Sequence, residues 1–458
     1  MEVRLVRAAS KDPDLLTPNE EAVLRTAISL ARMYRVRHGT RDVGVGASLR
    51  PFREDVSRRA GAVLLGKAPL RRELLVPLAR ELREPTLRTR EALLHRFRDR
   101  LPEEVIDKEL RNKSLVLVAG GGGGTAYVYV GVMSLLEEFG LRPALLAGTS
   151  MGAILCLFRS RLPHFDQNEV VNIVRGLSWR KLFRGVSVDS RYGVPAALRL
   201  YLRSGIGRYF NTGEDSGGPG IRLSELPVPT IISVSGVRKG MLPHPLSFYE
   251  RLLNISAVSL LDPLNLARQA QQAMGAVGEF FTRPEMMVSL HLGADRETAE
   301  FDALDAAGFS SALPGVIHYD ILRDDHRMTE LLDATLERRG VSRLVDGGLT
   351  DNLPAKAAWR SVHKGFIGTR NAFILGLNGF APKLSSPLWL PLSRLAAINV
   401  DRNRPYAHLV MDFKRTLSPL ELVPSIELIT RVTQLGRAQL NDEMPFLCRM
   451  LAPLPRML

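Results

Sequence analysis

Residues 114–127 read SLVLVAGGGGGTAY, and the five consecutive glycines at 120–124 decide the fold. Glycine weakens the interior of a strand or helix, so a run of them marks a turn with unusual dihedrals or a very close backbone approach. The preceding SLVLV is aliphatic and β-branched, as in a buried strand. The following AYVYVGVMSLLEEFG is mostly apolar and closes on Gly140, which suits a helix with a glycine C-cap. A strand, glycine turn and helix result. Such a turn aims several backbone N–H groups from a helix N-terminus, where the macrodipole also favours negative charge, so it suits an anion or a developing oxyanion.

Three glycine-loop chemistries compete for this turn. A phosphate-binding P-loop requires a lysine and a hydroxyl residue after the glycines, and no lysine occurs between Lys113 and Lys181. Gly121, Gly123 and Ala126 satisfy the weak dinucleotide pattern G-x-G-x-x-A, which expects an acidic residue at the end of the next strand. That strand, PALLA, runs instead into Gly148-Thr149-Ser150-Met151-Gly152. This is G-x-S-x-G, the nucleophile-elbow pattern, in which Gly148 and Gly152 relieve crowding around a sharply turned serine. A helix-like AILCLFRS follows, whose dipole favours alkoxide character on Ser150. The competing reading is an ordinary buried turn; two glycine turns in consecutive strand–helix units favour the elbow.

A nucleophilic serine needs a proton acceptor. Residues 341–354, VSRLVDGGLTDNLP, give a short apolar strand, Asp346-Gly347-Gly348 and a polar turn. Asp346 outranks Asp351 because it ends the strand, where α/β sheets place functional residues. A solvated turn is the plain alternative, since D-G and D-N dipeptides are frequent turn formers.

In that order, the glycine loop, GTSMG and VDGGLTDNLP resemble the patatin-like phospholipases, lipid acyl hydrolases with a Ser-Asp dyad. The resemblance covers roughly residues 114–365 and extends to SSALPG at 310–315. It implies an α/β, three-layer patatin-like fold: a central, mostly parallel sheet flanked by helices, with helical N- and C-terminal extensions. The implied organisation is a basic helical extension over 1–110, a catalytic domain over 111–380 and a mainly helical extension over 381–458. By position Ser150 matches the nucleophile, Asp346 its partner, and Gly121, Gly122, Gly123 and Gly124 the oxyanion-binding loop. The family loop carries an Arg or Lys that here falls on Thr125 or Gly124. The backbone donors do not depend on that charge.

The implied reaction is hydrolysis of fatty-acyl esters of phospholipids or glycerolipids through an acyl-enzyme, with no cofactor and no metal. An aspartate at its usual pKa of about 3.9 is a weak base, so contact with the serine and desolvation must strengthen it. One alternative is an α/β-hydrolase triad of Ser150, Asp346 and His363 or His408, although neither histidine has a recognisable loop signature. The other is a non-catalytic lipid-binding protein of the same fold.

The composition is that of a folded globular protein, with 62 Lys and Arg against 48 Asp and Glu, a net charge of +14. Residues 1–113 carry 25 basic and 17 acidic side chains, so they hold +8 of that excess. Their leucines and arginines alternate at helical spacing, which suits either a solvated face packed on a core or a layer that docks on anionic lipid. No nucleic-acid-reading module accompanies the charge, so nucleic acid is not an expected partner. Cys156, expected to be buried after the elbow, and Cys448 are too few for a disulfide framework or zinc site. No apolar signal segment opens the chain, which points to a cytoplasmic protein with lipid as substrate and room for peripheral membrane contact. The uncharged stretch 114–136 is long enough to span a bilayer, but its central glycines favour the strand–turn–helix reading.

Between the elbow and Asp346, residues 245–290 are aliphatic and carry Met274, Phe280, Phe281, Met286 and Met287. Methionines beside aromatics suit an adaptable acyl-chain pocket, and equally a plain helical core. The sequon Asn254-Ile255-Ser256 has no meaning without secretion. After residue 380 the chain is proline-rich, and Trp389 suits a packed site or a lipid interface.

Overall fold

The structure, a computed structural model, describes residues 1–185, 190–211, 220–248, 279–280, 283–321, 323–381 and 390–456. Met274, Phe281, Trp389 and the Asn254 sequon lie outside the described residues. The chain divides into two compact units, one of residues 1–115, 360–373 and 440–458, the other of 116–359 and 374–439. The tail beyond 380 is thus shared between them.

In the first unit, helices Glu2–Lys11, Pro18–Arg32, Arg50–Leu64, Arg72–Phe97 and Glu103–Arg111 surround a leucine- and valine-rich core, with a hairpin of β1 (Arg35–His38) and β2 (Arg41–Gly44). Helix Pro18–Arg32 starts with a capping box: Glu20 N–H donates to Thr17 Oγ1 and Thr17 N–H to the Glu20 carboxylate, with Pro18 in the first turn. Helix Arg72–Phe97 continues through Pro77 and Pro85. Many of this unit's arginines are held by carboxylates, among them Arg25, Arg59 and Arg90.

The second unit is built on a mostly parallel sheet flanked by helices. Its strands in chain order are β3 (Ser114–Ala119), β4 (Pro143–Thr149), β5 (Phe183–Gly185), β6 (Ala196–Leu200), β7 (Thr230–Arg238), β8 (Met287–Leu292), β9 (Gly315–His318), β10 (Val341–Val345), β11 (Ala372–Asn378) and β12 (Leu409–Asp412). The main sheet runs β10–β7–β4–β3–β11–β12, with β8 also paired to β7. β4 is parallel to β7 and β11 to β12, while β8 and β10 are antiparallel to β7. β5, β6 and β9 form a smaller sheet. β3, β4, β7 and β11 are buried along nearly their whole length, which accounts for their unbroken apolar sequences.

The uncharged stretch 114–136 is therefore β3, the glycine turn and the start of helix Val128–Glu138, all buried for packing. That helix crosses helix Ile426–Asn441 at contact distance. A Cβ on Gly131 would lie 1.9 Å from the Thr433 carbonyl oxygen, and one on Gly436 would lie 2.0 Å from that of Val128. The crossing holds the helix that leaves the glycine turn.

Candidate functional site

Ser150 stands between β4 and helix Met151–Ser160 at φ 53°, ψ −129°, and among the described residues no other non-glycine has a positive φ. Such a conformation costs about 1–3 kcal/mol and persists only where surrounding structure enforces it. Here Ser150 N–H donates to Ser310 Oγ at 2.8 Å, and that hydroxyl donates in turn to the Ser233 carbonyl on β7 at 2.6 Å. The Ser150 carbonyl accepts the N–H groups of Ala153 and Ile154, opening the helix. The flanking glycines are dictated by contact. A Cβ on Gly148 would sit 2.6 Å from Ala153 Cα, and one on Gly152 would sit 2.5 Å from the Ala119 carbonyl oxygen.

Asp346 follows β10 and is 7% exposed. Its backbone is fixed by the segment that holds the serine, with Asp346 N–H donating to Ala312 O at 2.8 Å and Gly347 N–H to Ser310 O at 3.1 Å. Its Oδ1 accepts the Gly348 N–H at 2.7 Å, and the Ser150 hydroxyl lies beside the carboxylate and favours its charged form. Burial raises the carboxyl to about 6, against the opposing pull of the Gly348 N–H and the Ser150 hydroxyl. The weak base expected from composition is thereby a considerably stronger one.

The four loop glycines divide into two pairs. Gly121 N–H donates to Asn352 O at 3.1 Å and Gly124 N–H to Pro419 O at 3.0 Å, so both amides are engaged. Among the described residues no hydrogen bond engages the amides of Gly122 and Gly123, and both residues border the cavity that contains Ser150 and Asp346. They carry φ values of 138° and 57°, which few side chains tolerate. Segment 418–421 also presses on the loop: a Cβ on Gly123 would lie 2.2 Å from Pro419 O. In place of a charged loop residue, Thr125 Oγ1 donates to the Gly122 carbonyl at 2.9 Å and closes the turn on itself.

The cavity holds about 250 Å³ and is almost entirely apolar away from the serine. Met151, Ile154, Leu155 and Phe158 border it at the spacing of one helix face, and Val170, Ile173, Leu177 and Leu182 border it as well. Segment 150–206 thus builds most of its apolar wall; for the methionine-rich stretch 245–290 a pocket and a plain helical core were both open. The described members of that stretch, Phe280, Met286 and Met287, pack instead with Val194, Val237 and Val345, and none borders the cavity. Both stretches are equally apolar, and composition does not tell a wall from a core.

No histidine among the described residues borders the cavity. His408 Nδ1 accepts the Ile374 N–H at 2.9 Å, and the His363 carbonyl accepts from Arg370. Asp351 is held by His291 Nε2 and Asn403 Nδ2, both at 2.9 Å, and its carbonyl accepts the Thr149 hydroxyl beside the elbow. Cys156 is buried, with its thiol pushed up to about 12 by desolvation.

Sequence reading overlooked two residues. Ser310 ties the elbow, β7 and the aspartate turn together, and Asn352 places its side chain beside Gly121 and Gly348. Asn352 is 4% exposed, borders the cavity, and its Nδ2 has no partner among the described residues. SSALPG carried a signal only through its resemblance, and Asn352 read as a turn former.

Among the described residues no helix is long and apolar enough to cross a membrane. A family model of patatin-like phospholipases matches residues 117–359, more than half of the chain. No curated protein matches it.

Proposed function

The chain belongs to the patatin-like phospholipase family, and we propose that it is a serine hydrolase that cleaves fatty-acyl esters of phospholipids or glycerolipids with Ser150 and Asp346. The observation that carries this reading is the strained Ser150 beside a buried carboxylate in an apolar cavity bordered also by two amides that are unengaged among the described residues. Asp346 takes the hydroxyl proton as Ser150 Oγ attacks the ester carbonyl. The N–H groups of Gly122 and Gly123 receive the oxyanion, and Gly121 and Gly124, whose amides are occupied, hold the loop in shape. The protonated carboxyl returns its proton to the departing alcohol or lysolipid. Water, deprotonated by the same aspartate, then releases the fatty acid and restores Ser150. The acyl chain lies along helix Met151–Ser160.

The absence of a histidine from the described cavity wall favours the dyad over a triad. The unengaged glycine amides favour turnover over simple lipid binding. The test is fatty-acid release from phospholipid and triacylglycerol micelles by the wild type, Ser150→Ala, Asp346→Asn and His363→Ala. We expect release by the wild type and His363→Ala and none by the other two. Activity in Asp346→Asn, or its loss in His363→Ala, refutes the dyad. If the folded wild type releases nothing from these lipids or a soluble activated ester, the hydrolase reading falls.

A further inference from the structure

Residues 170–185, VVNIVRGLSWRKLFRG, form the far wall of the cavity with one set of side chains and face solvent with another. Ile173, Val174, Leu182 and Phe183 are buried against the cavity. Arg175, Arg180, Lys181 and Arg184 are exposed, and the segment contains no carboxylate. None of the four makes an ion pair among the described residues: Lys181 Nζ donates to the Gly176 carbonyl, and Arg184 lies 4.6 Å over the Tyr201 ring. In their midst Trp179 borders the cavity yet is 45% exposed, its ring 4.7 Å from that of Phe183. Leu420, which also borders the cavity, is 57% exposed. These two residues therefore mark where the cavity meets solvent.

We propose that this rim is a docking surface for an anionic lipid aggregate, with Trp179 and Leu420 entering the interface and Arg175, Arg180, Lys181 and Arg184 facing the headgroups. The inference rests on the hydrolase reading above for its purpose but not for its test. Charge complementarity identifies the occupant: four cations without an ion pair among the described residues, around an exposed indole, match a surface that is negative at the headgroups and apolar just beneath. Continuity with the cavity gives the reason. An acyl chain leaving a bilayer or micelle reaches Ser150 without crossing water if the opening itself sits on the surface. The arginines of the first unit, many of them held by carboxylates, offer less free charge than their number suggests.

The experiment uses full-length Ser150→Ala protein, so that no lipid is consumed, in co-sedimentation with phosphatidylcholine vesicles with and without phosphatidylglycerol. Binding is expected to the anionic vesicles, to weaken between low and high salt, and to fall at least about a hundredfold when Arg180→Glu, Lys181→Glu and Arg184→Glu are combined, at about fivefold or more per charge. The same triple substitution in the active protein is expected to leave turnover of a water-soluble short-chain ester unchanged, which also reports that it folds. Equal binding to both vesicle types, no binding to either, or undiminished binding by the triple variant overturns the proposal. A protein that binds vesicles through this rim but turns over no ester removes the hydrolase reading and leaves the docking surface standing.

Discussion

Glu2 in the first unit and Asp346 in the second are buried alike, 3% and 7% exposed, and their carboxyls move in opposite directions. Burial alone would raise both. At Glu2 it is outweighed by Lys113 at 3.1 Å, Arg25 at 3.2 Å and Arg32 at 3.7 Å, which hold the group at about 2. Among the described residues Asp346 has no cation to answer burial, only a backbone N–H and the serine hydroxyl, and it stands at about 6. The first arrangement locks a charge in place. The second keeps a carboxylate poorly stabilised, which is what a proton acceptor needs.

The contrast breaks most decisively through activity. Replacing Ser150 by Ala or Asp346 by Asn should lower kcat on a lipid ester by about a thousandfold or more, because the two act as a unit. Steady-state rates of folded protein check this, and a double variant no worse than either single one would mark shared action. Activity should also fall as pH drops through about 6, since a protonated Asp346 cannot accept the serine proton. Loss of turnover only below pH 4 would mean that the carboxyl is not raised.

The next largest effects are on stability, and they differ in sign. Glu2→Gln leaves Lys113 buried without its carboxylate, while Arg25 keeps Glu21, and should cost about 3–5 kcal/mol in urea unfolding at pH 7. Because the folded Glu2 is depressed, its contribution is present above its ordinary value of 4.5 and disappears as pH falls through about 2, so the gap to the wild type should close over that range. Asp346→Asn should instead stabilise the protein at pH 7, by about 3 kcal/mol. A raised carboxyl favours folding below its ordinary 3.8 and loses that contribution as pH rises through about 6, so this gap should open over that window. Equal signs for the two substitutions would refute the comparison.

The second unit was legible in the sequence where close packing requires bare backbone. Gly148, Gly152, Gly347 and the loop glycines are all sites where a Cβ would strike a neighbour, and such residues announce themselves whatever they touch. What they touch was not legible. Pro419 presses on Gly123 from almost three hundred residues away, and Ser310 reaches the Ser150 amide across 160 positions. A serine at 310 and a proline at 419 have no local peculiarity to betray those contacts. The same limit hid Glu2, whose partner Lys113 is as ordinary in sequence as the exposed cations around it. Nor could the sequence tell a cavity wall from a plain core in the apolar stretches, since periodicity reports that a face is buried and not what it is buried against.

The smallest expected effect tests why Asp346 is dry. The apolar cavity that desolvates it is lined by one face of helix Met151–Ser160, which under the proposed function serves as a ruler. At about 1.5 Å per residue, Ile154 lies about 6 Å and Phe158 about 12 Å along the axis from Ser150. An extended chain advances about 1.2 Å per bond, so these residues face an acyl chain near its fifth and tenth carbons. Ile154→Phe, at a half-buried position, should therefore reduce kcat/KM for acyl esters longer than about five carbons by about tenfold and leave shorter ones near the wild type. Phe158→Leu should act only on chains longer than about ten carbons, and in the opposite direction. If both substitutions changed all chain lengths equally, the acyl group would not follow this helix, and the dryness of Asp346 would owe nothing to the space the substrate fills.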